Sequence, residues 1–256
     1  MTKINYNSIA NRIKYSCLEL LSKHCIICQT NTITNFEELD KVNILYNHNY
    51  SPKKRVFVAM CTYCRSYSDT LYQPKCHSHI SNDINSVITI FNGTNELRSL
   101  LKRNKYNDDF ELTNYFAYYL TKFINTLTKT KKFDTICLAP TSNEQLITRL
   151  FHPIYQIIKK TALEDYELSK KIIIPFKPYS LKKSMAKTLS ADREKNLSNK
   201  ISVLNKFTTD INEKSVLIID DMITTGATLK ACASALKKSG AKEITALGII
   251  RSRYLR

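Results

Sequence analysis

Acid is in short supply in this chain: 22 Asp and Glu stand against 39 Lys and Arg, leaving a formal charge of +17. Long hydrophobic runs are missing too. None approaches the ~20 apolar residues that a membrane helix needs, so no such span is expected. The opening Met1-Thr2-Lys3-Ile4-Asn5-Tyr6 lacks the apolar stretch of a secretory signal, and the expectation is a cytoplasmic protein. No internal repeat and no low-complexity tract is present. What remains is 256 residues, 43% hydrophobic and 24% charged, the profile of a soluble globular protein with room for one large or two modest domains. A surplus of cations this large draws a protein to polyanions such as nucleic acid. Compositional drift in an AT-rich gene favours Lys over Arg but does not by itself create the surplus.

The chain divides by texture. Residues 1–82 hold polar loops, paired cysteines and a helix expected over about 6–22, where Ile9, Ile13, Cys17, Leu20 and Leu21 recur at helical spacing. From about residue 86 strands and helices alternate. Strands are expected at Ser86–Phe91, Phe133–Ala139, Lys171–Pro175, Ser215–Ile219 and Ile244–Ile250, the last with Gly248 inside it. Helices are expected at Asn95–Arg103, along the stripe Leu112, Tyr115, Phe116, Tyr119, Leu120, Phe123 and Ile124, after Thr141 with a kink or late start at Pro153, and at Ala227–Lys238. Residues 176–200 are basic and aperiodic. Strand–helix–strand at this spacing implies right-handed crossovers and a parallel sheet flanked by helices.

Eight cysteines in a reducing compartment point to metal ligands or core packing before disulfides. Cys17, Cys137 and Cys232 sit in apolar or small-residue company and are expected to pack as small hydrophobes. The remaining five cluster between Cys25 and Cys76. Cys25-Ile26-Ile27-Cys28 and Cys61-Thr62-Tyr63-Cys64 supply enough thiolates for one tetrahedral structural zinc, since a CxxC turn presents both sulfurs to one side. The 32 residues between the pairs exceed the usual ~12–20, so an insertion must loop out. Cys76 and His79 form a substitute pair. Reduced thiols without metal, or a redox CxxC, are the other readings of these residues.

The most specific segment is Val216 to Thr228. An apolar strand leads into Asp220 and Asp221, then Met222-Ile223-Thr224-Thr225-Gly226-Ala227-Thr228 opens a helix. Ligands of open α/β sheets sit off the carboxyl ends of the strands, and a helix start offers free N–H groups and a positive dipole end to a phosphate. Thr224, Thr225 and Thr228 add hydroxyls, and Gly226 lets the backbone approach closely. Asp220 and Asp221 would repel that phosphate if aimed at it; they make sense against sugar hydroxyls or a Mg²⁺. No Gly-Lys-Ser/Thr of a Walker-A loop appears.

The run from Val216 to Thr228 resembles the phosphoribosyl-pyrophosphate motif of type I phosphoribosyltransferases. The resemblance implies a type I phosphoribosyltransferase-like α/β domain at 83–256, preceded by a zinc-finger module at 1–82. It implies that Asp220 and Asp221 hold the ribose 2′ and 3′ hydroxyls, while Thr224, Thr225, Gly226, Ala227 and Thr228 wrap the 5′-phosphate. Cysteine pairs ahead of such a domain resemble the ComF family, competence proteins of bacteria that take up DNA. Val87–Gly93, Leu97-Arg98-Ser99-Leu100-Leu101-Lys102 and Ala191-Asp192-Arg193-Glu194-Lys195-Asn196-Leu197 extend that likeness over most of the chain. The chain departs from the family at Leu138-Ala139-Pro140-Thr141, at Arg149-Leu150-Phe151-His152-Pro153 and at Lys187, segments that flank where pyrophosphate and an acceptor would bind. Ribose-phosphate binding is thus better supported than transfer.

Transfer, if it occurs, displaces pyrophosphate from ribose C1 with Mg²⁺ and basic side chains on the leaving charge. Lys183 and Arg193 are phosphate-binding candidates within the basic set Lys177, Lys182, Lys183, Lys187 and Arg193; a solvated basic loop is the plainer reading. Tyr179 is a candidate for stacking on a base. Three functions follow: a DNA-uptake protein contacting single-stranded DNA or competence proteins, an active salvage phosphoribosyltransferase, or a sensor of the sugar phosphate without turnover. Basic clusters at Lys129–Lys132, Lys182-Lys183 and Arg251–Arg256 are the expected DNA contacts.

Overall fold

The computed structural model describes residues 27, 43–44, 59–60, 62–77, 80–106, 110–149, 152–162, 166–180, 197 and 200–252. The helix expected over 6–22 lies outside them. A short antiparallel pair, β1 (Asn43–Ile44) and β2 (Ala59–Met60), precedes helix α1 (Thr62–Leu71), which opens inside the second CxxC pair.

The rest is built on a six-stranded sheet. Its strands are β3 (Tyr72–His77), β4 (Ser86–Asn92), β5 (Thr135–Leu138), β6 (Ile172–Ile173), β7 (Ser215–Ile223) and β8 (Glu243–Arg251). The order across the sheet is β3-β4-β8-β7-β5-β6. Every pairing is parallel except β3 with β4, so one antiparallel edge strand, drawn from the first eighty residues, closes the sheet. The central strands read as continuous apolar runs because helices cover both faces.

Those helices are α2 (Asn95–Tyr106), α3 (Phe110–Thr130), α4 (Asn143–Arg149), α5 (Pro153–Ala162), α6 (Tyr166–Lys170), α7 (Thr208–Ile211) and α8 (Ala227–Lys238). On one face Leu217 and Ile219 of β7 pack with Leu97 and Leu101 of α2, the stripe of α3, Ile157 and Ile158 of α5 and Leu168 of α6. On the other, Val216 and Ile218 pack with Leu229, Cys232 and Leu236 of α8. Side-chain alternation along the strand makes these two cores.

All seven members of the α3 stripe are buried, and their rings join Phe91 in a cluster whose Phe91–Tyr119 centroids lie 4.9 Å apart, edge to face. Tyr119 donates its hydroxyl hydrogen to Asp69 of α1 at 3.0 Å, tying α1 to the sheet layer. Cys137 and Cys232 are fully buried, as expected of small hydrophobes, and Cys17 lies outside the described residues. Pro153 stands at the first position of α5, where its missing N–H costs nothing, so the expected long helix is two. Among the described residues no helix is long and apolar enough to cross a membrane.

Candidate functional site

The acids do not follow the strand; they lie within it. β7 runs through Asp220 and Asp221 to Ile223, and Asp220 pairs with Gly248 of β8 while Met222 pairs with Ile250. Backbone pairing with β8 carries the strand past the point where its apolar side chains stop, which is why the sequence suggested an earlier end. Gly248 fits this place sterically, since a Cβ there would stand 2.4 Å from Ile223 Cγ1. Across the acids the alternation of side chains breaks: Met222 packs with the face of Leu217 and Ile219, and Ile223 with that of Val216 and Ile218. There the Asp221 N–H donates to Asp220 Oδ1 at 2.8 Å.

The two carboxylates have different surroundings. Asp220 is half-buried, and its carboxyl is pushed up to about 7 by burial first and the Asp221 charge second; Lys105 and the Asp221 N–H pull the other way. Its charge also bears on two groups of the α8-side core. The Tyr179 hydroxyl and the Cys232 thiol are both raised, chiefly by burial and further by their electrostatic surroundings, in which Asp220 figures. Asp221 instead meets α2: Lys105 Nζ lies 2.7 Å from Asp221 Oδ2, the two side chains only 12% and 17% exposed.

Beyond Ile223 the chain turns into α8. Thr224 and Thr225 are exposed, Ala227 and Thr228 half-buried, and Gly226 buried. Gly226 holds φ 76°, the left-handed region, and a Cβ there would also stand 2.7 Å from Ile80 Cδ1. Glycine is required twice over. Gly226, at the N-cap, has no side chain with which to cap α8. The Ala227 N–H turns to Thr225 Oγ1 at 3.3 Å, and the first-turn N–H groups that follow have no intrahelical acceptor by construction. A helix mouth with exposed threonines is suited to an anion.

The neighbouring loop after β5 is fixed by His152, whose Nε2–H donates to the Ala139 carbonyl at 3.0 Å while Nδ1 accepts the Tyr155 N–H at 3.3 Å. Asn143 donates its backbone N–H to the Tyr179 carbonyl at 2.9 Å, joining this loop to residues 176–180. Tyr179 itself is 8% exposed and part of the α8-side core, so it is not the open stacking platform the sequence suggested.

Lys183 and Arg193 lie outside the described residues, with Lys182 and Lys187; Lys177 is exposed. Of the metal candidates, Cys25, Cys28, Cys61 and His79 also lie outside, as does the Cys64 side chain. Cys76 is exposed on β3. His77 beside it is committed elsewhere: Arg251 Nη1 donates to Nδ1 at 3.1 Å, which leaves Nε2–H to donate to Thr89 Oγ1 at 2.7 Å. Burial first, then Arg251 and Lys75, lower its basicity. Sequence reasoning missed Lys105, which sits beyond the expected helix end, and Ile80 behind Gly226. Neither carries a local signature.

A family model described as phosphoribosyl transferase domain matches residues 166–253, which take in β6, β7, the turn, α8 and β8. The competence protein ComFC of Streptococcus pneumoniae (strain ATCC BAA-255 / R6) is 25% identical over 162 residues, 63% of this chain and 66% of that protein, just short of two thirds of its length.

Proposed function

We propose, from the premise that this chain is a ComF-family, phosphoribosyltransferase-like protein, that its β7–α8 turn holds a 5′-phosphorylated ribose in the service of DNA uptake. The observation that carries this is the start of α8 at left-handed Gly226, an N-cap residue with no capping side chain, with Thr224 and Thr225 exposed on the same turn. In this reading the 5′-phosphate takes the first-turn N–H groups and the hydroxyls of Thr224, Thr225 and Thr228. The ribose hydroxyls donate to Asp220 and Asp221. Lys183 and Arg193 serve the pyrophosphate of phosphoribosyl pyrophosphate.

Mg²⁺ is the metal this ligand implies. The carboxylates are the hard oxygen donors it takes, although one Asp221 oxygen already meets Lys105 and one Asp220 oxygen the Asp221 N–H. When bound with phosphoribosyl pyrophosphate, Mg²⁺ supplies charge to the departing pyrophosphate. The chain's own share is to hold the phosphate at the helix mouth and fix the sugar.

Calorimetry with phosphoribosyl pyrophosphate and Mg²⁺, run beside the Asp220→Asn/Asp221→Asn variant, tests the assignment. Loss of charge-assisted hydrogen bonds is expected to weaken binding by roughly tenfold or more. Equal binding by both proteins would refute it. Pyrophosphate release with some acceptor would add a transferase activity; binding without turnover across an acceptor panel would make the protein a sensor.

The same reading assigns a structural zinc to Cys25, Cys28, Cys61 and Cys64, with Cys76 and His79 as the substitute pair, because paired thiolates at CxxC spacing suit its tetrahedral geometry. Purified protein is expected to carry about one zinc per chain, set by one four-ligand site. Cys25→Ser/Cys28→Ser should lose it, and a metal-free, stably folded wild type would rule zinc out.

A further inference from the structure

Lys105 is left unexplained by the ribose-phosphate reading. It sits in the last turn of α2, and that turn is held in place: Leu100 and Leu101 are buried, and the buried Asn104 donates Nδ2–H to Thr113 Oγ1 of α3 at 2.8 Å. From there Lys105 reaches Asp221 Oδ2 at 2.7 Å, with most of both side chains out of water. An ion pair so placed is a weak device for stability, because desolvation of both charges offsets much of their attraction. It does change what the site can bind. A bare Asp221 carboxylate beside a phosphate pocket would repel an anionic ligand, and little solvent or salt reaches it to screen its charge.

We infer that Lys105 is the site's built-in counterion, a positioning residue that lets Asp220 and Asp221 hold ribose 5-phosphate without a divalent cation. The inference rests on the ribose-phosphate reading and deepens it: Mg²⁺ is then needed for a pyrophosphate, not for the sugar monophosphate. The ammonium neutralises Asp221, keeps its carboxylate turned to a fixed direction and leaves the other Asp221 oxygen for a hydroxyl. A metal ion entering at Asp221 must share that carboxylate with a cation already in contact.

Titration of the full chain with ribose 5-phosphate, in excess chelator and again in excess Mg²⁺, tests this. Wild-type affinity is expected to agree within about twofold between the two conditions, since no charge-assisted contact is lost. Lys105→Met should lose about tenfold in chelator, the cost of one such contact, and regain most of it with Mg²⁺. Lys105→Arg, which keeps the charge, should bind in chelator like wild type. A merely structural lysine would weaken binding equally in both conditions. Wild-type binding that requires Mg²⁺, or a Lys105→Met protein unaffected in chelator, overturns the inference while leaving the ribose-phosphate reading intact. If Lys105→Met does not fold, the wild-type and Lys105→Arg titrations still decide. Failure of the wild type to bind in either condition overturns both.

Discussion

Asp220 is a carboxyl held where its charge is unwelcome. Burial and the neighbouring Asp221 raise it from 3.8 to about 7, against the pull of Lys105 and the Asp221 N–H. The sign of the consequence follows from which state holds the proton more tightly. Between those two values the folded chain keeps a proton the unfolded chain has lost, so this residue's contribution to stability is full below about pH 4 and drains away as pH rises to about 7. Above that point a half-buried charge remains, partly compensated by Lys105. Asp220→Asn keeps an oxygen to accept the Asp221 N–H and removes the charge. It is expected to raise stability at about pH 8 by on the order of 2 kcal/mol, since solvent screening softens the cost of a half-buried charge, and to lose that advantage below about pH 4. Thermal unfolding of the two proteins across this range is the measurement. A difference independent of pH would mean that Asp220 does not titrate in the folded protein. A half-buried acid whose charge costs stability fits the proposed binding role.

At the scale of elements, the parts legible from sequence are those whose residues announce themselves locally. The α3 stripe has helical period and seven large apolar members, and every one is buried. The α8 boundaries are marked at both ends, by left-handed Gly226 before Ala227 and by Ser239 with left-handed Gly240 after Lys238. The parallel sheet follows from apolar runs that helices cover on both sides. What was not legible depends on pairing across the chain. β7 outlasts its apolar run because Gly248 and Ile250 continue to pair with it, and no local pattern at Asp220 reveals that. β3 has the exposed side chains of an edge strand, so hydrophobic alternation cannot mark it. The acids and the turn were readable as a set; Lys105 was not, because its partner lies nearly half a chain away. The surroundings of Tyr179 were hidden for the same reason: only the folded chain brings it into the α8-side core, close to Cys232.

At the scale of the whole molecule, charge and topology separate two candidate anion sites. Parallel strands put the β7–α8 turn, the proposed phosphate site, at the carboxyl ends of β7 and β8. The basic run at the end of α3 lies at the other end of the sheet, where Lys131 pairs with Glu243, the first residue of β8. Lys129 and Lys132 beside it are exposed. With a chain charge of +17, contact with single-stranded DNA here is a proposal the composition supports, and it needs no part of the ribose site. Its signature is ionic. Binding of an unstructured oligonucleotide should weaken steeply from low to physiological salt, and Lys129→Gln/Lys132→Gln should flatten the log–log slope by roughly 0.7 per lysine. Because the two sites lie at opposite sheet ends, saturating ribose 5-phosphate should leave oligonucleotide affinity unchanged. Fluorescence anisotropy across a salt series reads both effects. An oligonucleotide displaced by ribose 5-phosphate would put the DNA at the helix mouth instead, and affinity that holds steady across the salt series would remove phosphate contact as its source.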